Sequence, residues 1–151
     1  MTVSVFLADD HAIIREGLAA LLKCDSFISV VGSAANGRDA VQQILQLNPD
    51  VAILDISMPE MNGIEAAKQI RERAPHVRIL ILSMHSTAEH VFQALEAGVH
   101  GYLLKESVAQ EIVHAVRTIH AGRRFLSTSM ADVVAENLHA RADINPLDTL
   151  S

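Results

Sequence analysis

A chain of 151 residues, half of them apolar but only 3% aromatic, is long enough for one domain whose core is filled by Ala, Val, Ile and Leu. Its formal charge of −6 argues against a nucleic-acid surface in this piece. The lone Cys24 excludes an internal disulfide and fits a reducing, cytoplasmic compartment, the eight histidines show no zinc spacing, and no apolar run reaches spanning length.

Taken in order, Val3-Ser-Val-Phe-Leu-Ala8 predicts a first strand, followed at once by Asp9-Asp10-His11. Ile13, Ile14, Leu18, Leu21 and Leu22 then recur with helical period, and one of the two aspartates is a candidate N-cap. Capping explains one Asp well and two adjacent ones poorly. Cys24 reads as a small apolar residue near the end of that helix. Phe27-Ile-Ser-Val-Val-Gly32 predicts the second strand. Gly37 opens a second helix with Val41, Ile44 and Leu45 inward and Pro49 as its stop. Val51-Ala-Ile-Leu-Asp55 is an apolar run that ends on one aspartate, with a turn carrying Pro59 and Gly63 behind it. Such a run reads as a strand buried on both faces. Asn62 can cap a third helix bearing Ile64, Ala67 and Ile70, which ends before Pro75. Arg78-Ile-Leu-Ile-Leu-Ser83 is a fourth strand. The next helix holds Val91, Ala94 and Leu95 and closes at Gly98. Gly101-Tyr-Leu-Leu-Lys105 is a fifth strand, and Ile112, Val113, Val116 and Ile119 mark a fifth helix ending at Gly122.

Five strand–helix units imply a parallel sheet covered on both faces, with right-handed crossovers. The default is a flavodoxin-like doubly wound sheet of order 2-1-3-4-5. After Gly122, Arg123-Arg-Phe-Leu-Ser127 is expected to lack a strand partner. Met130, Val133, Val134 and Leu138 predict a sixth, amphipathic helix, and residues 140–151 read as a flexible tail. The division is therefore residues 1–121 for the α/β domain and 122–151 for a linker helix and tail.

In that strand order the first and third strands meet at the switch point. Asp9, Asp10 and Asp55 then converge on one edge, with Ser83 and Lys105 at neighbouring strand ends. Clustered carboxylates repel one another and call for a cation. All-oxygen donors favour Mg²⁺, which keeps several waters and also takes a phosphate oxygen. A carboxylate is a competent nucleophile for an aspartyl phosphate, and Asp55 stands where one is needed. Lys105 supplies a point charge for phosphoryl oxygens, and Ser83 supplies a hydroxyl. Singly, each has a bland alternative: Asp55 as a turn residue, Ser83 as a cap for the fourth helix, Lys105 as a solvated lysine.

These residues together resemble the receiver domain of two-component response regulators. The match spans residues 3 to about 120: Asp9-Asp10 after the first strand, Asp55 with Met58-Pro59 and Asn62-Gly63, Ser83, and Tyr102-Leu-Leu-Lys105. The resemblance implies that Asp55 is the phosphoacceptor. It implies that Asp10, Asp55 and the Ser57 backbone carbonyl hold Mg²⁺, with Asp9 acting through water. It implies that Ser83 and Lys105 bind the phosphoryl group and that Tyr102 is an aromatic switch turning inward as Ser83 moves. An exposed rim position for Tyr102 stays open for the resting state. Such a domain phosphorylates and dephosphorylates itself and is no turnover enzyme. Asp-Asp-His-Ala-Ile-Ile-Arg-Glu-Gly-Leu, Ala-Gly-Val-His-Gly-Tyr-Leu-Leu-Lys and Gly-Arg-Arg-Phe-Leu-Ser are similar to the NarL/LuxR type. That type implies a sensor histidine kinase as phosphoryl donor and a C-terminal helix-turn-helix DNA-binding domain. The expectation is that this chain stops near the entry to that domain, at Pro146-Leu-Asp-Thr-Leu-Ser151. DNA is then contacted only through the missing domain, no membrane is involved, and the sixth helix docks on the receiver, pairs with a second copy or is a simple exposed linker. The resemblance also implies that the side chains of Ser57 and His85 flank the pocket. Glu106 follows Lys105 where many receivers have proline, which argues against a cis bond there.

Two other readings compete. Haloacid-dehalogenase-like phosphatases place Asp-x-Asp-x-Thr after the first strand, unlike Asp9-Asp10-His11. A receiver-like interaction module that is never phosphorylated is the alternative; such proteins usually lose a pocket residue, and none is lost here. A dinucleotide- or P-loop nucleotide-binding domain is excluded, because no glycine-rich phosphate loop follows any strand.

Overall fold

The computed structural model describes residues 2–84 and 87–127, together with residue 135. Six strands form one parallel sheet: β1 (Val3–Ala8), β2 (Ile28–Ala34), β3 (Val51–Asp55), β4 (Arg78–Ser83), β5 (Gly101–Leu104) and β6 (Phe125–Leu126). Their order is β2-β1-β3-β4-β5-β6, the expected flavodoxin-like order with one strand added at the β5 edge. Five helices lie between them: α1 (Ala12–Lys23), α2 (Gly37–Leu47), α3 (Gly63–Arg73), α4 (Ala88–Glu96) and α5 (Val108–His120).

The central strands are apolar throughout because successive side chains point to opposite faces and both faces are covered. Ala52 and Leu54 of β3 enter one core with Ile44 of α2, Ile70 of α3 and Val91 of α4. Val51 and Ile53 enter the other with Leu22 of α1 and Ile119 of α5. Each such fully buried aliphatic contributes about 1.5–3 kcal/mol relative to exposure, which fixes which face each helix covers. The face of α1 is narrower than its apolar content suggests: Leu18 and Leu22 are buried, whereas Ile13 is 82% exposed.

Helix boundaries follow local chemistry. Asn36 and Asn62 cap α2 and α3, each side-chain oxygen accepting a backbone N–H, from Asp39 and Glu65. Gly98 and Gly122, after α4 and α5, adopt positive φ of 89° and 91°. Gly63 is required by proximity, since a Cβ there would lie 2.4 Å from the Asp55 carbonyl oxygen. The first turn of α3 thus rests directly on the backbone of the aspartate that ends β3.

Three expectations need correction. First, the segment after Gly122 does find a partner. Phe125 and Leu126 pair with Gly101 and Tyr102 of β5, and the Ser127 hydroxyl accepts the Leu104 N–H at 2.9 Å. Second, neither aspartate caps α1. His11 occupies the cap position and makes no side-chain cap bond, while the Asp9 carboxylate accepts the His11 N–H at 2.9 Å. Third, Tyr102 is not an exposed rim residue but is fully buried. Among the described residues all peptide bonds are trans, including the one after Lys105, where Lys105–Ser107 forms a short 3₁₀ turn. The predicted sixth helix, the tail and His85 lie outside the described residues.

Candidate functional site

The site is built by strand ends. Asp9 follows β1, Asp55 ends β3, Ser83 ends β4 and Lys105 follows β5, all at the carboxyl edge of the sheet. Asp9 and Asp55 are both buried, at 0% and 1% exposure. Lys105 reaches between them, its Nζ 3.2 Å from Asp9 Oδ2 and 3.1 Å from Asp55 Oδ2. A solvated lysine is thereby ruled out for this state. Asp10 points to the mouth of the pocket, where its Oδ1 lies 2.9 Å from His11 Nδ1. Ser57 is exposed beside the pocket, and its N–H donates to Asp55 Oδ1 at 3.2 Å.

The electrostatics follow from burial. Loss of water pushes the Asp55 carboxyl above the usual carboxylate range; the Lys105 hydrogen bond opposes this, and the Asp9 charge adds to it. Burial would lower Lys105, but its hydrogen bond and charge contact with Asp55, joined by Asp9, outweigh that and raise it above an ordinary lysine. One cation therefore serves two buried carboxylates, and a further carboxylate stands at the rim. Asp9, Asp10, His11 and Asp55 each offer a ligand atom, all within 4.8 Å of one another, so the cluster can hold a metal ion.

Ser83 is fully buried at the end of β4, and α4 takes Thr87 as its cap residue, so Ser83 is not a helix cap. The Tyr102 phenol is raised by burial, an effect offset in part by its hydrogen bond to Ser83. The hydroxyl next to the pocket and the buried aromatic are thus one connected unit.

Two contributors escaped the sequence reading. His11 Nδ1 also lies 3.3 Å from Asp9 Oδ1, making it part of the cluster rather than a bystander. The Arg15 guanidinium donates to the Asp9 carbonyl at 2.6 Å and pins the β1–α1 connection. The available signal was the adjacency of His11 to the acidic pair, and the placement of Arg15 one turn into α1. The exposed groove between α3 and α4, lined by Ile56, Ser57, Asn62 and His90 among others, adjoins the site without containing Asp55.

Comparison with known proteins agrees with this geometry. Residues 5–117 match the response regulator receiver domain family. The chain is 37% identical over 141 residues to the DNA-binding transcriptional activator DevR/DosR of Mycobacterium tuberculosis, covering 93% of this chain and 65% of that protein. It is 35% identical over 149 residues to the nitrate/nitrite response regulator protein NarL of Escherichia coli K12, covering 95% of this chain and 69% of that protein. The chain therefore spans about two thirds of the length of these two relatives and a little over half of others, such as the transcriptional regulatory protein LnrK of Bacillus subtilis, at 54%. A solved LuxR-family two-component response regulator from Aurantimonas superposes with a TM-score of 0.87 at 37% identity, covering 91% of this chain and 98% of that one. An acidic pocket closed by a lysine, on this fold and with these relatives, makes the chain a member of the response regulator receiver-domain family, of the NarL/LuxR type.

Proposed function

We propose that this receiver accepts a phosphoryl group on Asp55 from a sensor histidine kinase and thereby switches a C-terminal DNA-binding domain that regulates transcription. The observation that carries the reading is the buried Asp55 carboxylate, 3.1 Å from Lys105 Nζ and within one four-residue cluster of potential metal ligands. Asp10, Asp55 and the Ser57 carbonyl hold Mg²⁺ in this reading, and Asp9 acts through water. When bound, Mg²⁺ supplies charge neutralisation for the incoming phosphoryl oxygens. The chain's own part is positioning. Asp55 presents an oxygen for in-line attack, and the bond to phosphorus forms as the bond to the donor's leaving atom breaks. Lys105 exchanges part of its pairing with Asp55 for a phosphoryl oxygen, and the Ser83 hydroxyl donates to another. Moving Ser83 disturbs its hydrogen bond to Tyr102, which couples the pocket to the β5 face.

The protein acts as a self-phosphorylating and self-dephosphorylating regulator rather than a turnover enzyme. It works in the cytoplasm; among the described residues no helix is long and apolar enough to cross a membrane. The receiver unit comprises residues 1–121, and residues 122–151 form the connection to the DNA-binding domain, the first part of it stitched to β5 through β6. DNA contact belongs to that further domain, and a homodimer is a natural way to read two half-sites. The names of the relatives, a DNA-binding transcriptional activator and a nitrate/nitrite response regulator, support this reading.

Intact mass after incubation with acetyl phosphate and Mg²⁺ tests the proposal. One phosphoryl group is expected on the parent and none on Asp55→Asn or in excess EDTA. No labelling of the parent would instead favour a phosphorylation-independent interaction module, and undiminished labelling of Asp55→Asn would move the phosphoacceptor to another residue.

A further inference from the structure

The pocket differs from an all-oxygen cation site in one respect: an imidazole stands among the carboxylates. His11 Nδ1 lies 2.9 Å from Asp10 Oδ1 and 3.3 Å from Asp9 Oδ1. Carboxylates only accept, so in the cation-free pocket Nδ1 carries a proton and donates it to them. Donors adjacent on the coordination shell of an ion bound at about 2.1 Å lie about 3 Å apart. The observed spacings match that edge, so an ion can replace the shared proton with little movement of the ring.

A second observation points the same way. The Oδ2 atoms of Asp9 and Asp55 are buried, and among the described residues no donor other than Lys105 reaches them. Their only compensation is the Lys105 ammonium, 3.2 and 3.1 Å away. The cluster therefore has unspent acceptor capacity in a buried place, where an unmet polar atom is costly. His11 itself is held close to the cluster: its backbone N–H is bonded to Asp9, and Arg15 fixes the Asp9 carbonyl.

We infer that this pocket is a mixed nitrogen–oxygen site for late first-row divalent cations such as Co²⁺, Ni²⁺ and Zn²⁺, with His11 Nδ1 as a direct ligand beside the carboxylates, and that such an ion competes with Mg²⁺. Carboxylate and water donors suit Mg²⁺, whereas imidazole favours the later metals, whose affinities also rise along the Irving–Williams series. On binding, the Nδ1 electron pair goes to the metal and the single ring proton of the neutral imidazole passes through solvent to Nε2, so His11 ligates as its Nε2–H tautomer. A position taken by His11 is one fewer for water or a phosphoryl oxygen, so the inference makes His11 a determinant of which cation the receiver uses. It rests on the proposed Mg²⁺ pocket.

The test is isothermal titration of the chain with Co²⁺ and, separately, with Mg²⁺, for the parent, His11→Gln, His11→Ala and Asp55→Asn. Loss of an outer-sphere partner alone commonly weakens a metal site 10–100-fold, so loss of a direct ligand is expected to weaken Co²⁺ by about tenfold or more in both His11 variants. Mg²⁺ affinity should fall clearly less than Co²⁺ affinity in the same variants, because His11 reaches Mg²⁺ only through its contacts with Asp10 and Asp9, and equal losses for the two ions would overturn direct ligation by His11. Asp55→Asn should weaken both ions, and Co²⁺ should displace Mg²⁺ from the parent. Parent-like Co²⁺ affinity in both His11 variants, with Asp55→Asn weakening both ions, overturns the His11 inference and leaves the Mg²⁺ pocket intact. Unchanged Mg²⁺ affinity in Asp55→Asn overturns the pocket itself, and the inference with it. Alanine guards against glutamine acting as a substitute ligand, and circular dichroism of each variant confirms that the comparison is between folded proteins.

Discussion

Asp55 sits where function and stability oppose each other. Its folded-state pKa is raised, chiefly by burial, so the native protein binds the proton more tightly there than the unfolded chain does. At neutral pH the ionised form is therefore a cost to folding, and acidification relieves it. Replacing the carboxylate with an amide of the same shape should remove the cost. In the absence of divalent cations, Asp55→Asn is expected to unfold at higher temperature than the parent, by about 0.5–2 kcal/mol of stability. A lower melting temperature would show that the Lys105 contact outweighs burial. The neighbouring pair separates differently. Asp10 stands at the pocket mouth and Asp9 is buried against Lys105. If Asp10 contacts Mg²⁺ directly and Asp9 through water, Asp10→Ala should lose about tenfold or more in Mg²⁺ affinity and Asp9→Ala less. Equal losses in a Mg²⁺ titration would contradict the assignment. At this scale the identity of the pocket residues was legible, because apolar runs ended on charged or hydroxyl residues. The orientation of Tyr102 was not. It depends on a hydrogen bond to Ser83 across two strands, and no local pattern in Gly101-Tyr-Leu-Leu-Lys105 encodes that.

Among the elements, β6 carries the clearest lesson. Five strands were readable because each is a short, largely apolar segment backed by a helix of matching period. Phe125 and Leu126 make a strand of two residues, too short for any periodicity to register. What holds it is the β5 edge: the Phe125 N–H donates to the His100 carbonyl, and the Ser127 N–H to the Tyr102 carbonyl. An open edge of β5 would leave buried backbone groups unpaired, and the added strand satisfies them. Ser127 finishes this task with its side chain, since its hydroxyl accepts the buried Leu104 N–H one residue before Lys105. Ser127→Ala leaves that donor without an acceptor and should cost about 1–3 kcal/mol in denaturant unfolding. Ser127→Thr, which keeps the hydroxyl, should recover part of the loss. No difference between alanine and the parent would mean that water replaces the hydroxyl. The α1 cap failed for a related reason. The Asp9 carboxylate is turned toward the His11 N–H and Lys105 instead of the first turn of α1, so the helix begins without a side-chain cap.

At the scale of the whole molecule, the sheet separates its charges. Carboxylates gather at the carboxyl edge of the strands, while the opposite end of β4 and β5 carries Arg78, Arg124 and the Arg71 side chain around His100. His100 is partly buried there, and its Nδ1 accepts the Ile79 N–H at 3.0 Å, so the neutral ring is part of the connection between β4 and β5. Burial first, then the charges of Arg71, Arg78 and Arg124, lower its pKa from 6.5 to about 4. The unfolded chain therefore binds more protons at His100 than the native chain does between those values. Its contribution to stability is complete above pH 6.5 and is lost progressively as the pH falls toward 4. At 1.36 kcal/mol per pH unit the full effect would approach ~3 kcal/mol, and partial exposure reduces it to about 2 kcal/mol, on the order of 5 °C in melting temperature. Asp55 acts in the opposite direction, because protonation relieves its buried charge, so the measurement is best made in Asp55→Asn. In that background, acidification from pH 7 to 4.5 should lower the melting temperature by more than it does when His100→Asn is added. Asparagine can still accept the Ile79 N–H but cannot take up a proton. Parallel curves for the two proteins would place the acid sensitivity elsewhere in the fold.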